Sequence, residues 1–305
     1  MKDIDIWQTL PGTERSVVTL GKFDGLHRGH LQLIERVCQS SQNSLVSVIF
    51  IFDVASRTLL TKAERRERLQ NMGMNYMVEC PLDEKIRRMS AEDFVRKILV
   101  GNLRIARVVV GEDFRFGFQR KGSPALLQRL GRELDFTVEV VPSEMDGNRK
   151  ISSTFVREQL NEGNMEKVRE LLGRGFCTTG EVLHGRGLGH RKLIPTTNLV
   201  PPKEKLMPPN GVYVTCSTFG SRTFEGITNV GYKPTVGGET FLGVETYLFC
   251  CNEDLYGRIS TVEFFQFLRP EQHFPSLEAL KKQLLLDAEK GKEYFNRIRE
   301  KSRLS

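Results

Sequence analysis

Two of the five histidines in the chain, His27 and His30, lie three residues apart just after a short β-branched run. This run, residues 17–20, predicts a buried strand, and the glycines and Asp24 after it predict a tight loop. Helical spacing then predicts a helix that begins near residues 29–30. A strand, a glycine loop and a helix N-terminus favour phosphate binding, because backbone N–H groups and the helix dipole point at the anion. The imidazoles are therefore candidate phosphate-binding groups; the alternative is that they cap a turn and pack at the helix start.

A second phosphate-binding pattern occupies residues 151–157, which read ISSTFVR. The hydroxyl residues Ser152, Ser153 and Thr154 open a predicted helix, where such side chains cap free N–H groups. Arg157 follows one turn inside, and an arginine can bind phosphate through two parallel hydrogen bonds. We expect a helix cap here in any case, and a phosphate site in addition.

Strands and helices alternate through the first half of the chain. Apolar runs predict strands at residues 17–20, 45–52, 76–80, 107–110 and 136–141, and capped segments predict helices at residues 61–72, 90–99 and 124–134. This alternation predicts an α/β domain with a doubly wound parallel sheet, which binds ligands at the carboxyl ends of its strands. The histidine loop follows one such end, and residues 111–117 follow another.

The second half has a different pattern. From Gly180 onwards, short alternating segments separated by turn residues cover residues 211–216, 223–230, 243–250 and 258–267. They predict a small antiparallel β-barrel. A terminal helix is predicted from residues 275–276, with a packing stripe of Leu277, Leu280, Leu284 and Ala288. We therefore predict two domains, residues 1–175 and 176–305.

Composition indicates a globular enzyme. The 305 residues are 39% hydrophobic and 27% charged, and no apolar run approaches the roughly 20 residues of a membrane span. The N-terminus lacks the apolar segment of a signal peptide, and the six cysteines show no metal-binding spacing, so we expect reduced thiols in the cytoplasm. A net charge of +7 favours polyanionic partners, nucleic acid or small phosphorylated substrates, but the scattered basic residues do not separate these two.

The H-x-G-H sequence at a strand–helix junction resembles a nucleotidyltransferase signature. Further blocks in order are VVVGEDFRFG at 108–117, ISSTFVR at 151–157, LLGR at 171–174, HGRGLG at 184–189, PTTNL at 195–199, GVY at 211–213, NVGYKPTVGG at 229–238 and DLYG at 254–257. Together with GKFDGLHRGH at 21–30, they resemble the bacterial bifunctional riboflavin kinase/FAD synthetase family over nearly the whole chain.

The resemblance implies two consecutive reactions. The second module would phosphorylate riboflavin with ATP to give FMN, and the first would adenylylate FMN with a second ATP to give FAD and pyrophosphate. Mg²⁺ would be the cofactor and ATP the co-substrate of both. The resemblance thus implies riboflavin, FMN and ATP as partners, with neither nucleic acid nor a membrane, and it leaves the oligomeric state open.

In the first module, the resemblance assigns catalysis to the two histidines and ATP or phosphate binding to Gly21, Phe23, Ser153, Thr154 and Arg157. It assigns flavin contacts to Asp113, Phe114 and Phe116, because an aromatic ring can stack on the isoalloxazine. The alternative is that the two phenylalanines are loop anchors in the core.

In the second module, the resemblance assigns ATP binding to Gly185, Gly189 and Thr196, and Mg²⁺ binding to Thr196 and Asn198, whose oxygens are hard ligands. Glu245 would be the catalytic base that takes the proton from riboflavin's hydroxyl. Asn229, Lys233 and Thr235 would line the flavin site. We expect Glu245 to point away from the outer wall of the barrel; the alternative role is lining a polar barrel mouth.

Three departures from the family pattern occur, two in the first module and one in the kinase loop, and the first of them makes adenylylation the less secure of the two expected activities. Residues 50–61 read FIFDVASRTLLT and lack the usual F-x-P-H-P element; Lys22 replaces an asparagine; and Leu193 replaces a glycine of the kinase loop. An alternative function is therefore riboflavin kinase alone, with a degenerate first module. A flavin-sensing RNA-binding regulator is a further alternative, but it would need a basic stripe with interleaved aromatics, and the sequence has none.

Overall fold

The computed structural model describes residues 1–41, 45–53, 57–183, 196–234, 240–251 and 253–304. The chain divides into two compact units, Met1–Phe155 and Val156–Ser305. The boundary predicted after residue 175 lies further along the chain than this division, and it stays a prediction.

The first unit is built on a parallel sheet, as predicted, but the sheet has six strands where the sequence predicted five, because the short strand at residues 2–4 was not predicted. Its strands are β1 (Lys2–Ile4), β2 (Ser16–Gly21), β3 (Val46–Asp53), β4 (Tyr76–Pro81), β5 (Ile105–Gly111) and β6 (Thr137–Val141). They lie in the order β1-β4-β3-β2-β5-β6, and every neighbouring pair is parallel. The strand order reverses between β2 and β5, because β3 and β4 continue the sheet on one side and β6 on the other. In doubly wound sheets, ligands bind at the carboxyl ends of strands at such a switch point.

Helices connect the strands and cover both faces of this sheet. They are α1 (Arg28–Ser41), α2 (Lys62–Asn71), α3 (Glu84–Arg88), α4 (Ala91–Asp93), a π-helix (Phe94–Asn102) and α5 (Pro124–Leu134). A short hairpin of β7 (Met145–Asp146) and β8 (Arg149–Lys150) follows β6. Alternate residues of the strands enter two separate apolar clusters, such as Val18 in one and Val17 in the other. Burial on both faces explains the continuous apolar runs in the sequence.

The predicted helix caps are present. Thr61 forms a complete capping box with Glu64 at the start of α2, and Ser90 accepts a hydrogen bond from the backbone of Asp93. The segment after Asp93 differs from the prediction, because it continues as a π-helix rather than an α-helix.

The second unit contains an antiparallel sheet after two helices. Helix α6 (Ser153–Asn161) crosses from the first unit, and α7 (Met165–Leu172) follows; the strands are β9 (Phe176–Glu181), β10 (Thr197–Leu199), β11 (Gly211–Phe219), β12 (Arg222–Pro234), β13 (Thr240–Leu248) and β14 (Ile259–Arg269). Their order is β10-β13-β12-β11-β14-β9, and a bridge between Leu183 and Asn198 links the two edges. The sheet is thus an antiparallel half-barrel, which agrees with the predicted fold class, although β9 and β10 were not predicted.

The two faces of the half-barrel differ in character. On the inner face, the buried hydroxyls of Thr215, Thr228 and Thr246 share hydrogen bonds of 2.7 and 2.8 Å. On the outer face, strand residues such as Ile227 pack with Ala288 of the terminal helix α8 (Leu277–Leu304).

The predicted packing stripe of α8 is only partly correct. Ala288 is buried and Leu284 packs against the same cluster, whereas Leu277 is 51% exposed. Leu277 is the first residue of the helix and lies outside the stretch that contacts the sheet cluster. Among the described residues, no helix is long and apolar enough to cross a membrane. All six cysteines are free thiols.

Two candidate active sites

The histidine loop follows β2 and is held by buried anchors. Phe23 and Leu26 have left-handed backbone conformations, with φ of 48° and 45°, and both side chains are in the core. Such conformations are unfavourable for non-glycine residues and persist only where the surroundings hold them. Gly21 makes room for this arrangement, because a Cβ there would lie 3.1 Å from the Phe23 ring. The loop is therefore rigidly positioned at the carboxyl end of β2.

The two imidazoles stack on each other at the start of α1. Their ring centroids are 3.7 Å apart with an interplanar angle of 18°, and the His30 ring also lies 5.0 Å from that of Phe23. The backbone N–H of His30 donates to the carbonyl of His27, 2.7 Å away. The structure thus brings the two predicted residues together at the predicted junction.

The surroundings of His30 favour its neutral form. Burial lowers the pKa of His30 well below 6.5, and the positive charges of protonated His27 and of Lys150 lower this pKa further. Its Nδ1 is buried and has no hydrogen-bond partner among the described residues. A bound anion would raise this pKa and offer a partner to the ring, because a nearby negative charge favours the imidazolium.

The start of α6 is tied to the histidine loop. Ser152 caps the helix by accepting from the backbone N–H of Phe155, and the Ser153 hydroxyl donates to the carbonyl of Asp24, 2.8 Å away. Thr154 is exposed. Arg157 lies one turn along α6 in the second unit, and its contact with phosphate stays a prediction.

The loop after β5 lies on the other side of the switch point. Asp113 is exposed and forms an ion pair with Lys150 of β8. Phe114 is partly buried and stacks on Phe116, with ring centroids 5.4 Å apart. Asp113 and Phe114 thus remain available for the predicted flavin contact.

Two of the aromatic residues predicted to bind ligands are buried in the structure. Phe116 is 4% exposed and belongs to the core, which favours the alternative role of a loop anchor, and its flavin contact stays a prediction. Phe23 is 0% exposed, so its ring cannot touch ATP, and only its backbone is left for that role. Aromatic residues in glycine loops either contact a ligand or anchor the loop in the core, and the sequence alone did not distinguish these two roles.

The second candidate site is a row of polar side chains across three strands. Asn198 of β10 and Asn229 of β12 are each directly opposite Glu245 of β13. Opposite residues in antiparallel strands share a face of the sheet. Thr196 donates to one carboxylate oxygen of Glu245 over 2.8 Å, and Lys233 donates to the other over 2.7 Å.

The orientation predicted for Glu245 is wrong. Its strand neighbours Val244 and Thr246 are buried on the inner face, so Glu245 lies on the outer face with Tyr247, on the side of α8. The inner face is filled by the threonine ladder and by Tyr213 and other buried side chains, as in other small barrels. Among the described residues, the polar side chains that are open to solvent near Glu245 lie on the outer face, where the Glu245 side chain is 37% exposed.

Sequence reasoning missed one residue near this site. The amide of Asn229 donates to Glu271 over 3.1 Å, and the amide of Asn210 donates to the other oxygen of the same carboxylate. Glu271 follows β14 in an irregular segment and has no motif around it. The predicted residues Gly185, Gly189 and Thr235 lie outside the described residues.

The second site contains oxygen ligands suited to a hard metal ion. Thr196 Oγ1, Asn198 Oδ1 and the Glu245 carboxylate lie in one hydrogen-bonded cluster. In the part of the chain that the structure describes, no group of three His, Cys, Asp or Glu side chains could enclose a metal. Hydroxyl, amide and carboxylate oxygens are the hard ligands that suit Mg²⁺, an ion that keeps water ligands and shares substrate phosphates.

Comparison with known proteins identifies the family. Two family models match in chain order, FAD synthetase at residues 10–155 and riboflavin kinase at residues 172–295. The bifunctional riboflavin kinase/FMN adenylyltransferase of Escherichia coli K12 is 34% identical over 294 residues, which cover 92% of this chain and 93% of the relative. The chain belongs to the bifunctional riboflavin kinase/FMN adenylyltransferase family. The Pseudomonas fluorescens member is 37% identical over 276 residues, covering 87% of this chain and 88% of its own length.

Each candidate site falls inside one of the two family matches. The histidine loop is within the match to FAD synthetase, and the Glu245 cluster is within the match to riboflavin kinase. The bifunctional riboflavin kinase/FMN adenylyltransferase family thus accounts for the presence of two separate polar sites in one chain.

A solved structure supports the fold. A crystal structure of a protein from Streptococcus pneumoniae, named as a macrolide-efflux protein, has a TM-score of 0.82 and 27% sequence identity. It covers 93% of this chain and 97% of its own. Its name differs from the activities named for the bifunctional relatives, and the similarity to this chain is one of fold.

Proposed function

We propose that this chain makes FAD from riboflavin in two steps, as a riboflavin kinase in its second unit and an FMN adenylyltransferase in its first. The observation that carries the proposal is that both family models match in order, each around one cluster of candidate residues. Riboflavin, FMN and ATP are the substrates under this proposal. We further propose that Mg²⁺ serves both steps and that the enzyme acts in the cytoplasm.

In the kinase step, a hydroxyl oxygen of riboflavin attacks the γ-phosphorus of ATP, and ADP leaves. Glu245 accepts the hydroxyl proton as a general base, and its two carboxylate oxygens are oriented by Thr196 and Lys233. Thr196 and Asn198 would hold Mg²⁺, which supplies charge neutralisation at the phosphates when bound. Positioning of this kind provides most of the catalysis in phosphoryl transfer.

In the adenylyl-transfer step, a phosphate oxygen of FMN attacks the α-phosphorus of ATP, and pyrophosphate leaves. His27 and His30 lie at the N-terminus of α1 and at the switch point of the sheet, where backbone dipoles already favour an anion. We propose that they donate hydrogen bonds to the phosphates as negative charge develops. The step needs no covalent intermediate with the protein.

One observation favours the alternative of a riboflavin kinase alone. The usual F-x-P-H-P element is absent from residues 50–61. In the described part of this segment, Asp53 is paired with Lys62, and the backbone of Leu59 donates to Asp24. These contacts involve residues on either side of positions 54–56, and residues 50–61 contain no histidine for the nucleotide.

Incubation of the full chain with riboflavin, ATP and MgCl₂, followed by chromatography of the flavins, tests the proposal. We expect FMN to form first and FAD to follow. Accumulation of FMN without FAD, also when FMN is supplied directly, would support the kinase-only alternative. Formation of neither product would contradict both functions, and FMN-dependent, salt-sensitive binding of RNA would then favour the regulatory alternative.

A further inference from the structure

A lysine ammonium lies between the candidate base and the candidate metal ligand. Lys233 Nζ is 2.7 Å from Glu245 Oε2 and 2.9 Å from Asn198 Oδ1. Both side chains of the ion pair are more than half buried, so the contact is partly shielded from water. The ammonium therefore occupies the place where a cation would meet these two oxygens.

The backbone leaves a groove for this lysine. Gly243 is on the same face of β13 as Glu245, and a Cβ at Gly243 would lie 3.0 Å from Lys233 Cδ and 3.1 Å from its Cε. The absence of a side chain at this position lets the lysine stem lie across β13. The groove directs the ammonium towards Glu245, two residues further along the strand.

We infer that Lys233 is a tethered cation that holds Glu245 and Asn198 in position and competes with a divalent metal ion for their oxygens. This inference rests on the proposed kinase function. Two cations cannot share these oxygens without strong repulsion, because the effective dielectric constant at such a partly buried site is low. Entry of the metal–nucleotide complex therefore requires the ammonium to leave at least one of the two oxygens. Lys233 is thus a positioning residue that also sets the metal affinity, rather than a wall of the flavin site.

Binding of Mn²⁺ to the full chain without nucleotide, followed by electron paramagnetic resonance, tests this inference. Mn²⁺ prefers the same oxygen ligands as Mg²⁺. We expect Lys233→Met to bind Mn²⁺ about tenfold more tightly than the wild type, because it removes a positive charge next to the ligands. Lys233→Arg keeps the charge and should bind as the wild type does. Lys282→Met, which removes an exposed charge from α8, controls for the change in net charge. Manganese bound elsewhere contributes equally to all variants.

A second variant keeps the lysine and fills its groove. Gly243→Ala should push the ammonium off its two partners and also tighten Mn²⁺ binding, so the test does not depend on the folding of Lys233→Met alone. Equal or weaker Mn²⁺ binding in both variants would overturn the inference. FMN formation by the same wild-type preparation separates the two claims. An active wild type with unchanged metal affinity in the variants contradicts only the inference, whereas an inactive wild type contradicts the proposed function whatever the manganese data show.

Discussion

Glu245 is held by two hydrogen-bond donors, one neutral and one positively charged. Thr196 fixes one carboxylate oxygen through a neutral hydroxyl, whereas Lys233 fixes the other through a positive charge. The Lys233 ammonium is the donor that, under the inference above, leaves when the metal–nucleotide complex enters. Glu245 is thus oriented by both donors in the resting protein and by Thr196 alone once the ammonium has left.

Replacing Glu245 by glutamine should strongly reduce FMN formation and leave FAD formation unchanged. The amide preserves the shape but cannot accept the proton, so we expect FMN formation to fall by about 10²–10⁴-fold. FAD formation from supplied FMN should stay within twofold of the wild type (about the scatter of such assays), because Glu245 is in the second unit. Chromatography of flavins after each incubation measures both. Glu278→Gln on the exposed side of α8 is the control, and normal phosphorylation by Glu245→Gln would exclude the base role.

The neutral state of His30 should make the first unit less stable in acid. Since its pKa is lowered in the folded state, the unfolded chain binds the proton first. The free energy of unfolding of the first unit should therefore be unaffected by His30 above about pH 6.5. It should fall as the pH drops below this value, by at most about 1.4 kcal/mol per pH unit. Urea unfolding followed by the fluorescence of Trp7, the single tryptophan, reports on this unit. We expect a shallower pH dependence in His30→Gln but not in His273→Gln; equal slopes in all three would contradict burial of a neutral His30.

Motifs predicted the positions of the site residues along the chain but not their partners. His27 with His30, and Thr196 with Glu245, were selected from the sequence, and each pair is in contact in the structure. The bridge from Lys233 to Asn198 could not be predicted in this way. It depends on which rotamer a long side chain adopts and on a groove at a glycine in another strand, and neither leaves a local sequence pattern.

Helix α8 is attached to the half-barrel by a buried ion pair. Arg269 of β14 forms three hydrogen bonds of 2.7 to 3.1 Å with Asp287, whose side chain is 1% exposed. We expect Asp287→Ala to lower the free energy of unfolding of the second unit by about 3–5 kcal/mol, because it leaves a desolvated guanidinium without its partner. Chemical denaturation followed by far-ultraviolet circular dichroism measures this. Glu289→Ala on the exposed side of α8 should change it by no more than about 0.5 kcal/mol, and similar effects of both variants would contradict this role of the pair.

Elements with strong local signals were predicted, and those determined by tertiary contacts were not. The start of α2 was predicted because Thr61 and Glu64 form a capping box that is visible in the sequence. Strand β10 has only three residues and exists because Asn198 pairs with β13, so no local periodicity marks it. The π-helix after Asp93 has apolar residues at spacings that suit an α-helix equally well.

At the scale of the whole molecule, the change from helical to alternating periodicity predicted two kinds of sheet. Parallel strands covered on both faces give continuous apolar runs, and an antiparallel sheet gives alternation, so the two patterns differ in composition as well as in period. The inner face of the half-barrel is an exception to this alternation of apolar and polar residues, because its buried threonines form hydrogen bonds with one another. Alternation indicates which residues share a face but not which face is inside, so the outward orientation of Glu245 was not predicted.

Each unit has its own apolar clusters and its own candidate site, so the two activities should be separable within one chain. We expect His30→Ala to accumulate FMN from riboflavin and to lose FAD formation, the converse of Glu245→Gln. Equal loss of both activities in His30→Ala would mean that the units do not act independently.

Mixing the two variants tests whether FMN must stay within one chain. Glu245→Gln alone lacks the first step and His30→Ala alone lacks the second, so neither should make FAD from riboflavin. Because no reaction proposed here needs residues of both units to hold the same flavin, FMN released by one variant can bind the other. We therefore expect an equimolar mixture to make FAD, after a lag that shortens as total protein concentration rises. Chromatography over time measures the lag, with wild type at half the concentration as the control. Wild type at half the concentration carries as many working sites of each kind as the mixture, so the two should show equal lags if FMN is released; a wild type that makes FAD without a lag while the mixture shows one would show that the intermediate passes between sites within a single chain.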